Sequence, residues 1–425
     1  MKHFSLRFFL ASFILSFTFL AVIAQELPSA KPEELGFSSD RLARLDEKFN
    51  AYVTENKLAG SVILVARKGK VGYYKAFGFR DKESNAKMEL GSIFRIASQS
   101  KAIVSAGIMI LQEEGKLLIQ DPVSRFIPEF KETTVAVRKE GGGYDVVKAK
   151  REITLRDLLT HTAGVGYGGG AAAEEWKKAD IQGWYFAHRN EPIAETIKRM
   201  AALPMEAQPG EQFVYGYATD ILGVVIERAS GMLLDQFLKT RIFDPLGMND
   251  TQFYLPKEKV SRLTKVYTPQ EGQPLKPAPE KGTMDAQGEY VNGPRKSFSG
   301  GAGLLSTAKD YYLFLQMIAN GGELNGKRIL APSTVRLMTV NHLDKLVNFG
   351  RGLGFGLGFE VVQDIGQRGT PGSLGEFRWG GAYGSTYWVD PAEQMVVVYF
   401  TQVRPSSIVP DQLQLRALIY QAITE

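Results

Sequence analysis

The sequence predicts an α+β protein in which both chain ends build one antiparallel sheet that carries a mainly helical insertion. Strand-like runs lie near the two ends of the 425-residue chain, at 61–77 and 355–400, whereas helical pieces broken by Pro and Gly fill the middle. The hydrophobic fraction of 44% is ample for a packed core and argues against disorder.

The first 24 residues are expected to form a secretory signal peptide. Lys2 and Arg7 flank its start, an apolar stretch runs over 8–23, and cleavage is expected after Ala24. A retained anchor is the alternative, although the apolar run is short for a span of about 20 residues. We therefore expect a periplasmic or secreted protein with no stable membrane span after cleavage.

Composition argues against several classes of function. The formal charge of +5 falls by two without the signal, and the remaining basic residues are scattered, so no nucleic-acid partner is expected. The chain has no cysteine, which excludes disulfides and a lipid-anchored cysteine. With no cysteine and scattered histidines, we expect neither a catalytic metal nor a cofactor.

The N-terminal part of the chain is predicted to form a helix, a hairpin and a second, buried helix. Residues 39–55 carry apolar side chains at helical spacing, and the runs 61–67 and 71–77 flank a Lys-Gly-Lys turn, which is typical of a hairpin. The apolar run 98–111 predicts a buried helix, with Gly115 as its C-cap.

The middle of the chain is predicted to be mainly helical, and the end to form strands and a last helix. Between 121 and 292 we predict one small hairpin, 133–137 with 144–147, and helices at 155–159, 193–203, 221–229 and 233–242. The loop 164–189 is rich in glycine and carries Trp176, Trp184 and Tyr185. It is predicted either to line a pocket or to be a plain surface loop, which is the commoner case. The end of the chain predicts strands at 355–362, 384–389 and 395–400 and a helix at 411–423.

These elements predict a division into domains. The sheet domain is expected to be discontinuous, with residues 25–120 and 293–425, and the inserted helical domain to span 121–292.

The most informative feature is a serine, Ser98, that precedes Lys101 by three residues at the start of the apolar run. Residues i and i+3 share a face of a helix, so the hydroxyl and the amine can meet. An amine beside a serine can accept its proton, and burial assists by lowering the pKa of an amine. This is the arrangement of a serine acyl-transfer enzyme that uses lysine in place of histidine.

Two other serines also precede a lysine by three residues. Ser84 lies in a polar, turn-like stretch, and Ser306 precedes an apolar helix as a capping residue would. Only Lys101 lies within a run that is apolar all round, where an unpaired lysine would be costly. The alternative is a lysine at a helix start whose amine reaches solvent.

With its further motifs, the sequence resembles the serine β-lactamase-related superfamily (class C β-lactamases and penicillin-binding proteins), and most of all the family VIII carboxylesterases. The motifs occur in the family's order and cover nearly the whole mature chain: Ser98-Gln99-Ser100-Lys101, Asp121-Pro122-Val123, 153–164, Pro209-Gly210, Tyr215, 301–307 and Trp379-Gly380-Gly381. The resemblance implies a β-lactamase/transpeptidase-like fold and a serine hydrolase that forms an acyl-enzyme.

The resemblance also implies roles for individual residues. Ser98 would be the nucleophile, and Lys101 and Tyr215 would move the proton. A phenol is a weak base at its ordinary pKa of about 10, so it needs a nearby cation, for which Lys101 is the candidate. The alternative for Tyr215 is a half-buried packing role. The family's Tyr-x-Asn becomes Tyr215-Gly216-Tyr217 here, so the amide that would bind a substrate amide is missing. Tyr217, which replaces it, is expected to lie at the substrate site and bind substrate.

Trp379-Gly380-Gly381 stands where lactamases and penicillin-binding proteins carry Lys-Thr-Gly. These three residues are expected to bind substrate, and the backbone N–H groups of Ser98 and Ala382 to form an oxyanion hole. An indole cannot form a charge-assisted hydrogen bond to a carboxylate. The neighbouring Arg378 would point to the opposite face of the strand.

These departures favour a carboxylesterase-like hydrolase of small neutral esters. The alternatives are a β-lactamase or D-alanyl-D-alanine carboxypeptidase and, on the same scaffold, a catalytically silent cell-wall-binding protein. An acyltransferase that passes the acyl group to an alcohol also remains open. A histidine-based nucleophile is not expected, because the chain has no Gly-x-Ser-x-Gly elbow. His161 belongs to the family's His-Thr-Ala-Gly turn, which implies a structural role. A small ester or amide is the expected partner, and the sequence makes no prediction of the oligomeric state.

Overall fold

The computed structural model describes residues 27–425, apart from 182, 184, 271–272, 283–284, 344–346, 348 and 407–408. The predicted signal peptide and Trp184 therefore lie outside the described residues. Among the residues that are described, no helix has the length and apolar character needed to cross a bilayer.

The described strands are β1 Gly60–Arg67, β2 Lys70–Asp81, β3 Ala86–Lys87, β4 Phe94–Arg95, β5 Thr134–Arg138, β6 Tyr144–Lys148, β7 Tyr267–Gln270, β8 Gln273–Pro277, β9 Leu305–Ser306, β10 Glu323–Leu324, β11 Lys327–Arg328, β12 Leu353–Phe355, β13 Glu360–Val362, β14 Phe377–Gly380, β15 Thr386–Asp390 and β16 Met395–Thr401.

The described α-helices are α1 Ser39–Thr54, α2 Ser100–Glu113, α3 Leu155–Leu159, α4 Ala173–Lys178, α5 Ile193–Ala201, α6 Ala218–Ser230, α7 Leu234–Leu238, α8 Asp244–Leu246, α9 Ala308–Ala319, α10 Pro332–Met338, α11 Ile365–Arg368 and α12 Asp411–Tyr420. A π-turn, Lys239–Phe243, joins α7 to α8, so the helix predicted at 233–242 is broken into pieces.

One large antiparallel sheet joins the two ends of the chain, in the order β12-β13-β14-β15-β16-β1-β2-β3. Strand β16 pairs with β1 over seven residues, from Ser61 with Thr401 to Arg67 with Met395. The predicted fold class is therefore confirmed: both ends build the sheet, and helices flank it.

The sheet is buried on both faces, and alternate residues of its central strands serve different layers. Val62 and Leu64 face the inner core with α2 and α9, whereas Ile63 and Val65 face the outer layer with α1 and α12. The helices of segment 121–292 share the inner core cluster with α2. The division into two domains stays a prediction.

Two local predictions differ from the structure. The strand predicted at 355–362 is a hairpin of β12 and β13, because Gly358 adopts a φ of 93° between them and turns the chain. The loop 164–189 contains helix α4, and Trp176 and Tyr185 are buried in the core. These two aromatic rings therefore do not line an open pocket.

Candidate active site

Ser98 lies in a 3₁₀ turn, Ala97–Gln99, directly ahead of α2. Ala97 adopts a φ of 45°, a left-handed conformation that is unfavourable for a residue with a Cβ. Backbone contacts hold the turn in place, since Ile96 N–H donates to Leu304 and Gln99 carbonyl accepts from the Tyr311 hydroxyl. This strained turn places Ser98, which is 7% exposed, at the N-terminus of α2.

Lys101 is buried beside Ser98, as the spacing predicted. Its Nζ lies 3.3 Å from Ser98 Oγ, 2.8 Å from the Gly301 carbonyl oxygen and 3.3 Å from the Tyr167 hydroxyl. With 1% of the residue exposed, the amine does not reach solvent. The serine and the lysine therefore form a dyad inside the protein.

Tyr215 contacts the dyad with its ring. Lys101 Nζ lies 4.6 Å from the centroid of that ring, and the Tyr215 hydroxyl accepts a hydrogen bond of 3.1 Å from Trp379 Nε1. His161 packs behind the ring at 4.7 Å between centroids. Burial and the charge of Lys101 lower the pKa of His161 well below its ordinary value, so this imidazole is neutral.

Tyr167 is a second tyrosine at the dyad, and it was not among the predicted site residues. Its hydroxyl accepts a hydrogen bond of 3.3 Å from Lys101 Nζ, and Tyr167 and Ser98 line the same cavity. Burial raises the pKa of Tyr167 well above the ordinary value, so the phenol keeps its proton. Tyr167 is the one aromatic residue in the glycine-rich stretch 164–170, directly after the His-Thr-Ala-Gly turn, and that isolation was the available signal.

The structure corrects the expectation for Tyr217, which lies behind Tyr167 and outside the cleft. The Tyr217 ring is 1% exposed, and its hydroxyl accepts a hydrogen bond of 3.2 Å from Gly183 N–H. It meets Tyr167 edge to face at 4.8 Å and stacks on Trp176. Tyr217 therefore supports Tyr167 from within the core.

A cavity of about 350 Å³ opens at Ser98, and its walls include Tyr167, Tyr215 and the segment 379–382. Trp379, Gly380, Gly381 and Ala382 thus lie at the cleft where the sequence predicted them. Gly381 passes so close to the serine turn that a Cβ there would lie 2.6 Å from the Ile96 carbonyl oxygen. The oxyanion role of the Ser98 and Ala382 N–H groups stays a prediction.

One ion pair borders the cavity. Arg378 is paired with Trp388 of the outer layer and Trp379 with Tyr387 of the inner core, so their side chains leave β14 on opposite faces, as predicted. The Arg378 guanidinium is bound to the carboxylate of Glu360. Among the described residues that line this cavity, the one cation is therefore already neutralised.

Comparison with known proteins agrees with this geometry. A family model described as Beta-lactamase matches residues 45–421. Esterase EstB of Burkholderia gladioli is 31% identical over 416 residues, which cover 93% of this chain and 100% of that protein. A putative D-alanyl-D-alanine carboxypeptidase of Escherichia coli K12 is 26% identical, with 91% and 87% covered.

A solved structure, EstCE1, a hydrolase with promiscuous acyltransferase activity, superposes with a TM-score of 0.76 at 28% identity, over 90% of this chain and 99% of that one. The family match over most of the chain, joined to this similarity and to the buried serine–lysine dyad, shows that the chain belongs to the Beta-lactamase family and is a serine hydrolase.

Proposed function

We propose that this serine hydrolase cleaves small neutral esters through an acyl-enzyme on Ser98. The observation that carries the proposal is the contact between Lys101 and Ser98 at a cleft that has Trp379 in place of a free cation. The similarity to an esterase over nearly the full length of both chains supports the choice of substrate.

In the proposed acylation, Ser98 Oγ attacks the ester carbonyl carbon and its proton passes to Lys101 Nζ. The backbone N–H groups of Ser98 and Ala382 donate to the oxyanion, and the loss of one such donor typically costs about 3 kcal/mol. The C–O bond to the alcohol then breaks, and the departing oxygen receives a proton from Lys101 through the hydroxyl of Tyr215. The acyl group stays on Ser98 as an ester.

Deacylation repeats these roles with water. The amine of Lys101 accepts a proton from water while the water oxygen attacks the acyl carbon. When the bond to Ser98 Oγ breaks, the serine recovers its proton and the carboxylic acid leaves. This sequence consumes one ester and one water and produces one acid and one alcohol.

Charge in the cleft supports a neutral substrate. The indole N–H of Trp379 donates to Tyr215, and Arg378 is bound to Glu360. A substrate carboxylate would lose its hydration without gaining a free cation, and its desolvation would stay uncompensated. Small neutral esters are therefore favoured over β-lactams and D-alanyl peptides.

Export from the cytoplasm is part of the proposal. The charged start, the apolar stretch 8–23 and Ala24 support a cleaved signal and a periplasmic or secreted enzyme. Cell fractionation and N-terminal sequencing test this: the expected mature protein begins at Gln25 and is absent from the cytoplasm. A cytoplasmic protein that keeps Met1 would contradict it.

The nucleophile is tested by covalent labelling. A fluorophosphonate probe should label the wild-type protein at Ser98, as peptide mass spectrometry would show, and Ser98→Ala should lose the label. Ser84→Ala is the matched control, because Ser84 also precedes a lysine by three residues but lies in an exposed turn. Label that persists in Ser98→Ala at another serine would reject the assignment.

The substrate class is tested by comparing kcat/KM for p-nitrophenyl butyrate with that for a carboxylate-bearing cephalosporin. We expect the ester to react much faster, and Trp379→Lys to move the ratio toward the cephalosporin by supplying a cation. A cephalosporin value at or above the ester value in the wild-type protein would favour the lactamase function instead.

A further inference from the structure

We propose that Asp220 is a positioning residue for Lys101: it fixes the Gly301 carbonyl that orients the amine, and its charge favours the ammonium form of Lys101. The inference rests on the proposed function in one respect, that Lys101 accepts the proton of Ser98. Asp220 lies in the first turn of α6 and is 1% exposed.

The contacts of Asp220 hold both peptide units around Gly301. Asp220 Oδ1 accepts hydrogen bonds from Ser299 Oγ at 2.6 Å and from Gly301 N–H at 3.1 Å. Ser299 Oγ in turn accepts from Ala302 N–H at 3.1 Å. That N–H belongs to the same planar peptide as the Gly301 carbonyl. The acceptor of the Lys101 hydrogen bond is therefore anchored to one buried carboxylate.

This anchoring has a consequence for the direction of the amine. A carbonyl oxygen can only accept, so one N–H of Lys101 must point at Gly301, at 2.8 Å. A neutral amine has a second N–H and one lone pair, and these remain for the hydroxyls of Ser98 and Tyr167, each at 3.3 Å. A fixed Gly301 carbonyl thus keeps the second N–H and the lone pair of the amine turned toward these two hydroxyls.

The packing leaves Asp220 and Gly301 in close contact. A Cβ on Gly301 would lie 2.4 Å from Asp220 Oδ2, which explains why glycine occupies this position. Burial raises the pKa of Asp220 to about 6, against the hydrogen bond from Ser299 and the charge of Lys101. Above that pH the carboxylate is charged and favours the positive form of the amine.

Few other titratable groups face this pair from the elements around it. Tyr167, from the glycine-rich loop, and Tyr217, ahead of α6, interact with Asp220 and are both neutral because burial raises their pKa values. His161, after α3, and Tyr215 face Lys101, and the imidazole is neutral. Among the described residues that face this pair, Asp220 is therefore the group that brings a negative charge to Lys101.

The test is the pH profile of kcat/KM in Asp220→Asn, with p-nitrophenyl butyrate as substrate. Asparagine keeps the size and one oxygen acceptor for Gly301 N–H and Ser299, and removes the negative charge. Without that charge a positive charge beside Ser98 is less favoured, so the acidic limb of the profile should move to lower pH.

Asp310→Asn is the matched control. Asp310 lies in the first turn of α9, away from the dyad, and is also buried. Burial raises its pKa to about 6 as well, and its carboxylate accepts a hydrogen bond from Asp250 N–H. The acidic limb of the pH profile of Asp310→Asn should stay at the wild-type pH. Asp220→Glu keeps the charge, so its limb should stay as well even if the rate falls, and this variant serves if Asp220→Asn does not fold.

Three outcomes separate the possibilities. If the acidic limb of the pH profile moves to lower pH in Asp220→Asn alone, the inference is supported. If it moves equally in Asp220→Glu, the inference is overturned. A lower rate with an unmoved limb in Asp220→Asn also overturns it, because that result needs only a structural role. The proposed function fails separately, if wild-type Ser98 takes no fluorophosphonate label.

Discussion

Two tyrosine hydroxyls lie within reach of the chemistry, and they are held differently. The Tyr215 hydroxyl accepts from the Trp379 indole, which leaves its own proton free for the cleft. The Tyr167 hydroxyl contacts Lys101 directly, and Tyr167 lines the cavity at Ser98. We infer that Tyr215 delivers a proton to the departing alcohol and that Tyr167 orients the dyad.

Matched variants separate these two roles. Tyr215→Phe should lower kcat/KM for an alkyl ester by about two orders of magnitude, because an alkoxide needs a proton to leave. It should affect a p-nitrophenyl ester much less, since nitrophenolate leaves without one. Tyr167→Phe should slow both esters alike, and Tyr74→Phe, whose hydroxyl binds the Leu90 carbonyl elsewhere, should slow neither. Equal losses for both esters in Tyr215→Phe would contradict the delivery of a proton to the alcohol, and activity within a few-fold for both would return that residue to a packing role.

At this scale, the residues that could be predicted were those linked by local spacing or by motif. Ser98 and Lys101 are three residues apart, so their contact follows from the geometry of one turn. Tyr167 contacts the dyad from a loop, and Asp220 acts on it from another helix through Gly301. No spacing or motif links either residue to Ser98, although Tyr167 stands out as the one aromatic residue among the glycines of 164–170. Tyr217 was placed wrongly because the start of α6 turns its ring into the core.

At the scale of elements, the approach of β14 to the serine turn places Ser98 and Ala382, whose N–H groups are the predicted oxyanion donors, on the wall of one cavity. The strand can come this close because Gly381 has no side chain: its absent Cβ would lie 2.6 Å from the Ile96 carbonyl. The turn itself was not predicted, since a 3₁₀ segment with a left-handed Ala97 leaves no periodic pattern. The glycines between β12 and β13 were likewise hidden within an apolar run.

Gly381→Ala tests this approach. The added methyl group must push β14 away from the turn, so the predicted oxyanion donors should separate and kcat should fall by about 10²-fold or more. Gly141→Ala is the control, because a Cβ there meets no atom within 4 Å. The test measures kcat for both purified variants, and circular dichroism shows whether each is folded. Full activity in Gly381→Ala would mean that the donors lie elsewhere.

At the scale of the whole molecule, the two ends of the chain are joined at several points. Thr424 N–H donates to the Gly36 carbonyl, and Arg67 donates to the carbonyl of Glu425. Strand β1 lies beside β16 at the centre of the sheet. Alternating apolar runs predicted the strands and their hairpins, but pairing between distant strands follows from packing across the whole core. The family resemblance supplied that part of the prediction.

A buried ionic cluster ties the last helix to the sheet. Glu376, fully buried ahead of β14, binds Arg416 of α12 through two hydrogen bonds of 2.7 Å and Arg368 through one of 3.0 Å. The Tyr420 hydroxyl lies 3.0 Å from the same carboxylate and 2.7 Å from that of Asp390, between which its proton is shared. Burial opposes ionisation of Glu376, but the two arginines outweigh it, so the pKa of this carboxyl lies below its ordinary value.

Glu376→Gln should therefore destabilise the protein by about 3–5 kcal/mol, because it leaves two buried guanidinium groups without a carboxylate. The stabilisation from Glu376 is complete above the unfolded-state pKa of about 4.3 and is lost as the pH falls through the lower folded-state value. The variant should consequently lose less stability than the wild type on acidification below about pH 4. Glu323→Gln, which breaks an exposed pair with Arg328, should cost less than about 1 kcal/mol. Urea unfolding of the three proteins at several pH values measures both effects, and equal losses at neutral pH in the two variants would contradict a role for burial.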